Sequence, residues 1–232
     1  MIRKFVVLVA LALAACTPAV KKDANWVRAE FAKEEAKGSG IGELLSALRE
    51  GQPDIYARFI DIAGREIIAG KSAYEAGVAA RPVFAGRFAE LSKTAKDEHI
   101  NGMLQFAHDQ YRAALEIDPE LCLNIIRGKQ DLRLIKLPPS LTDRELALMA
   151  SVFRAGKQDG PAASLAEVQE WMGGYTPAHP DVAKGLQLMA MPAPTTEDAR
   201  AICLGNIALL EGMLMQPPET SARLFRGLLA LG

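Results

Sequence analysis

From residue 25 to the C-terminus, apolar residues recur every three or four positions, and prolines or glycines interrupt them before any run grows long. That period matches the 3.6-residue helix repeat and not the two-residue alternation of a strand. A chain punctuated in this way is restricted to helices of ordinary length laid against one another. The pattern predicts helices over 25–37, 41–50 and 53–69, with a break at Gly38-Ser39-Gly40 and Pro53 in the first turn of the third. A helix over 72–80 is expected to stop at Pro82, because a residue before proline avoids the helical region. Residues 83–96 follow, and 97–117 form one long helix or a hairpin bent at Asn101-Gly102. Asp118-Pro119 is a cap followed by a first-turn proline, and its helix is expected to run on to Pro138-Pro139. Within it, 132–137 carries the best strand signal in the chain and reads as the helix end.

Thr142-x-x-Glu145 and Ser164-x-x-Glu167 have the capping-box form and open two further helices. Gly173-Gly174 and the stretch from Pro177 to Pro180 read as a loop. A short helix over 181–189 follows, then a last long helix capped by Thr195 or Thr196 and a closing helix over 219–231. Residues 201–215 are apolar almost all round, which places that helix in a core. Glu211 is its misplaced acid, expected at the rim rather than buried in a pocket. Aromatic residues make up only 6 % of the chain, and the wealth of Ala and Leu favours helix over strand. The fold class is therefore all-α, an irregular helical bundle or stacked helical hairpins.

A spaced pattern of small, large, small and proline residues recurs as Gly70-Tyr74-Gly77-Pro82, Ala107-Tyr111-Ala114-Pro119 and Gly205-Leu209-Gly212-Pro217. Small residues admit a neighbouring helix while the large one fills the gap. The second occurrence resembles the second helix of a tetratricopeptide repeat. The first-helix signature of that family is missing, and the proline spacings are unequal. Cys122-Leu123 ahead of Pro138-Pro139 also echoes Cys203-Leu204 ahead of Pro217-Pro218, which suggests two related halves within one helical domain over 25–232.

Ahead of that domain, Arg3 and Lys4 precede an apolar run over 5–13, and Leu13-Ala14-Ala15-Cys16 closes it. The run is too short for a membrane span, which needs roughly 20 residues; it has the build of a removable export signal. Leu-Ala-Ala-Cys resembles the lipobox of bacterial lipoproteins. The resemblance implies a signal peptide over 1–15, lipidation of Cys16 and a short tether over 16–24. It also implies a lipid-anchored place in the bacterial envelope. Thr17 after the cysteine, where that family has aspartate for inner-membrane retention, points to the outer membrane facing the periplasm. A multiply acylated cysteine anchors stably, since each buried CH2 contributes about 0.8 kcal/mol.

The chain holds 27 basic and 28 acidic residues, which offers nothing to nucleic acid. Lipidation of Cys16 would leave Cys122 and Cys203 in an oxidising compartment, either paired as a disulfide or buried as free thiols. His99, His108 and His179 have no metal-ligand spacing. Met189-Ala-Met191 and Met213-Leu-Met215 resemble the Met-x-Met motifs of exported copper-handling proteins. On a helix, residues two apart diverge, so core packing is the expected role of the second pair. Gly38-Ser39-Gly40-Ile41-Gly42 lacks the lysine and strand of a phosphate loop, and no Gly-x-Ser-x-Gly motif occurs. No catalytic residue, metal or cofactor is expected. The expectation is a lipid-anchored helical protein that binds an envelope protein as adaptor, assembly factor or periplasmic inhibitor. The alternatives are a carrier of a small apolar or lipid ligand and, behind it, an envelope enzyme.

Overall fold

The computed structural model describes residues 23–231 except 39, 130–135 and 192–193. Among them are eleven α-helices, a 3-10 turn at Thr176–Ala178 and no strand, so the protein is all-α. No helix among the described residues is long and apolar enough to cross a membrane. The chain divides into two compact units, one holding 23–91 and 145–156, the other 92–144 and 157–231.

The first unit contains α1 (Ala24–Ala36), α2 (Gly40–Gly51), α3 (Pro53–Ile68), most of α4 (Ala73–Ser92) and the later part of α7 (Pro139–Ala155). Asp23 caps α1 by accepting the amides of Asn25 and Trp26. Helices α1 and α3 run antiparallel: Val27 lies by Gly64, Phe31 meets Phe59 edge-on at 5.9 Å, and Tyr56 donates to Glu35 at 2.5 Å. Phe59 continues the aromatic core to Phe84, and Phe88 meets Phe153. Buried Gln52 accepts from Arg87 Nε at 2.7 Å and donates to the Phe153 carbonyl at 3.3 Å. Glu145 is buried here with Oε1 unpartnered among the described residues. Burial pushes its carboxyl up to about 8, against the opposing pull of Arg81.

Residues 73–92 form one helix, so the expected stop at Pro82 does not occur. Ala76, Ala80, Phe84, Phe88 and Leu91 make a single buried stripe that passes the proline without losing phase. Pro82 and Val78, whose carbonyl loses its usual partner, both lie on the exposed side where water can serve it.

The second unit contains α5 (Asp97–Ile117), α6 (Pro119–Arg127), the start of α7, α8 (Leu165–Tyr175), a 3-10 turn (Thr176–Ala178), α9 (Pro180–Met189), α10 (Thr196–Leu214) and α11 (Pro218–Leu231). α10 is its central element and packs against α5, α6, α9 and α11. It meets α9 backbone to backbone, where a Cβ on Gly205 would come 2.9 Å from the Gly185 Cα. α5 is continuous through Asn101-Gly102, since Ile100, Met103 and Leu104 keep one buried face. Fully buried Arg226 on α11 donates to the Ala95 carbonyl at 2.8 Å, to the Pro161 carbonyl at 2.6 Å and to Asp97. It thereby ties α11 to the start of α5 and to the loop before α8.

Three further boundaries differ from expectation. α6 ends at Arg127 because Gly128 adopts φ 65°, a left-handed cap that satisfies the last carbonyls; most of the 132–137 stretch lies outside the described residues. α7 opens at Pro139, so Thr142 sits inside it and Glu145 turns inward instead of closing a capping box. α8 carries Gly173-Gly174 within it, because Tyr175 at its end is held by α10. The capping boxes at Ser164 with Glu167 and at Thr195 with Asp198 form with both reciprocal bonds.

Candidate functional site

A polar cluster joins α5 to α10 in the second unit. His108 on α5 is only 7 % exposed, and a polar group so buried needs partners. It has two: Nδ1 lies 3.0 Å from Asp109 Oδ1 and Nε2 lies 3.1 Å from Glu211 Oε1 on α10. Asp109 also accepts from Arg144 Nη1 at 2.7 Å and from Gln105 Nε2 at 2.9 Å. Burial pushes the Asp109 carboxyl up, yet the bonds from Arg144, His108 and Gln105 together hold it below the usual carboxylate range. Glu211 reaches the rim, half-exposed, as expected.

Beside Glu211 stands a stack of rings. Trp171, Tyr175 and His179 recur every four residues through α8 and the 3-10 turn. Tyr175 lies 5.2 Å from Trp171 and 3.8 Å from His179, nearly parallel to both. Its ring covers Gly212, where an added Cβ would come within 2.3 Å of Cζ, and its hydroxyl donates to the Ala208 carbonyl at 3.0 Å. Burial first, and the charge on Glu211 second, raise the Tyr175 phenol above its ordinary value. One turn beyond Gly212, Met215 is 81 % exposed. Trp171, Tyr175 and His179 are each partly exposed, and the Glu211 carboxylate acts on Tyr175 from α10.

No family model, curated protein or solved structure matches this chain.

Cys122 on α6 and Cys203 on α10 form a disulfide within the second unit, their Cα atoms 6.2 Å apart. Cys16, the expected lipidation site, lies outside the described residues. The histidines are apart: His99 sits beside Glu98 with its pKa lowered by burial, while His108 and His179 belong to the cluster and the stack. Among the described residues no three His, Cys, Asp or Glu side chains are grouped to hold a metal. Met213 is buried and Met215 exposed, so the pair diverges and only Met213 serves the core. Met191 is half-exposed, and its carbonyl accepts from Arg127 at 2.7 Å.

Two features escape a reading of the sequence. His108 and Glu211 are 103 residues apart, and nothing local links them. The ring stack has a periodic signal in Trp171, Tyr175 and His179, hidden by the Gly-Gly and proline residues between them. Chemically, the described partners of His108 are the carboxylates of Asp109 and Glu211. Its arrangement fixes α5 against α10 and holds Glu211 in place beside the stack.

Proposed function

We propose that the protein is a lipid-anchored helical protein of the bacterial envelope, held by Cys16 at the outer membrane facing the periplasm, and that it acts by binding another protein. The observation that carries the binding half of this reading is the partly exposed stack of Trp171, Tyr175 and His179, with exposed Met215 one turn beyond the Gly212 that Tyr175 covers. Aromatic residues and Met are enriched at the cores of protein interfaces, and rigid, partly exposed rings are the usual energetic anchors. The patch is fixed in advance by α10 through Ala208 and Gly212, which lowers the ordering cost of association. The lipobox at 13–16 supports the anchored half.

Two measurements test the two halves separately. Intact mass of the mature chain, with membrane fractionation, is expected to show an acylated chain starting at Cys16, and a Cys16→Ser chain released from the membrane. A photo-crosslinking residue at position 215 is expected to capture one protein species in intact envelopes, whereas one at exposed Arg58 on the other unit captures none. Equal labelling from both positions, or none at 215, would refute the binding surface.

A further inference from the structure

The two contacts at His108 set a condition on protons. Its ring meets a carboxylate at each nitrogen, Asp109 Oδ1 at 3.0 Å and Glu211 Oε1 at 3.1 Å. An ionised carboxylate only accepts, and a neutral imidazole has one N–H to give. Together the two bonds therefore need one proton more than a neutral histidine and two carboxylates bring.

Asp109 decides where the first ring proton sits. Its Oδ1 also accepts from Gln105 and its Oδ2 from Arg144, whose guanidinium stands over the Phe106 ring at 5.9 Å. Against burial, these donors and His108 hold the Asp109 carboxyl ionised, so Nδ1 carries the hydrogen. A neutral His108 would then turn the bare lone pair of Nε2 on Glu211 Oε1, two acceptors 3.1 Å apart. A second ring proton removes that clash. It also balances the cluster, since Asp109 and Glu211 are then matched by Arg144 and the imidazolium.

The other helices packed on α5 leave the balance to these groups. α11 commits Arg223 to Glu167 and Arg226 to Asp97, and α6 commits Arg127 to the Met191 carbonyl. Glu120 on α6, Glu219 on α11 and Arg112, one turn beyond His108 on α5, are exposed. None of them bonds to His108 among the described residues. The two carboxylates differ in what else holds them. Asp109 keeps Gln105 and Arg144 whatever the ring does. The Glu211 side chain has His108 as its one hydrogen-bonding partner among the described residues, and it is half-exposed. It stands one turn before Met215 on α10 and next to Gly212, which Tyr175 covers.

We propose that the extra proton is a latch between α5 and α10: with it, His108 holds Glu211 and matches its charge, and without it Glu211 turns to solvent beside Tyr175 as an unmatched carboxylate. Because a buried unmatched charge costs more than a matched one, partner binding then weakens as pH rises, a consequence that rests on the partner surface proposed above.

Ring nitrogen NMR on the full chain carrying Cys16→Ser, followed from about pH 5 to 9 across the range in which histidines titrate, tests the latch. The chain has three histidines, and His99→Gln and His179→Gln assign the third by elimination. His108 is expected to carry both ring protons at the acid end and only the Nδ1 proton at the alkaline end, with the Glu211 carboxyl signal moving at the same midpoint. Glu211→Gln offers both a donor and an acceptor, pairs with either form of the ring, and is expected to lower the proton affinity of the cluster at least tenfold. A Glu211 signal that stays fixed while His108 loses its proton, or a midpoint unmoved by Glu211→Gln, would overturn the latch. Capture through the photo-crosslinking residue at 215 reads the consequence. It is expected to be at least threefold weaker one pH unit above the midpoint than one unit below, and equal at both for Glu211→Gln. Equal capture with Glu211 in place would overturn the regulation. Capture at neither pH would strike the partner surface instead, with the latch decided by the ring signals.

Discussion

Replacing Glu145 by Gln is expected to stabilise the protein at neutral and alkaline pH, although it changes a buried side chain inside a helical unit. Burial raises the carboxyl from its usual 4.5 to about 8. The native state therefore holds a proton that the unfolded state has released throughout the window between those values. Stability must fall as pH rises across that window, by about 1.4 kcal/mol per pH unit, and level off on either side. At pH 7 the penalty amounts to about 3 kcal/mol. Glutamine keeps the shape and never ionises. Its buried amide leaves a fixed cost of about 1–3 kcal/mol, which does not depend on pH. The difference between variant and wild type should thus favour wild type or be near zero at pH 5, and swing towards Glu145→Gln by several kcal/mol at pH 8. Urea denaturation of both chains at half-unit steps from pH 4.5 to 8.5 measures it. Parallel stability curves for the two proteins would refute a carboxyl on α7 whose titration is governed by burial.

Arg226→Met is expected to cost about 3–5 kcal/mol, since it leaves the Ala95 and Pro161 carbonyls without their buried cation; Arg226→Lys should cost nearly as much, because an ammonium cannot span three acceptors set for a fork. A loss under 1 kcal/mol in chemical denaturation would show that water replaces it. Reducing the Cys122–Cys203 disulfide frees a loop of 81 residues and is expected to lower stability by about 4 kcal/mol on the chain-entropy account, read as the difference between oxidised and reduced melts. Pro82→Ala should stabilise α4 by about 1–2 kcal/mol, less than the roughly 3 kcal/mol of an interior proline because the unfolded chain also gains freedom. Destabilisation by Pro82→Ala would mean that the helix depends on a bend there.

Local signals in this sequence were reliable where the backbone itself decides. Ser164 and Thr195 cap helices because their side chains reach amides only three residues away, and Asp118-Pro119 starts α6 for a similarly local reason. Thr142 carries the same motif and fails. Pro139 has already begun the helix, and packing then draws Glu145 inward. At Pro82 a local stop signal competes with a buried stripe of five residues in helical phase, and the stripe prevails because the lost hydrogen bond faces water. Reading that phase through the proline was open to the sequence. The candidate site was mostly closed to it. Glu211 was legible as an acid at the rim of an apolar helix, but its meeting with His108 depends on how α5 and α10 pack. The placing of Tyr175 over Gly212 likewise depends on tertiary packing, which helical period alone does not encode.

The proposed interaction joins an anchored protein to a partner through the surface around Trp171, Tyr175 and Met215. Its most direct measurement is a quantitative pulldown from crosslinked bacterial envelopes, comparing the full lipidated chain, Cys16→Ser, and a Trp171→Ala/Met215→Ser double variant. One near-stoichiometric protein partner is expected with the lipidated chain, reduced at least tenfold by the double variant at equal protein level and unchanged melting temperature. Recovery of the same partner in the same amount by the double variant, or recovery of none by the wild-type chain, would contradict it.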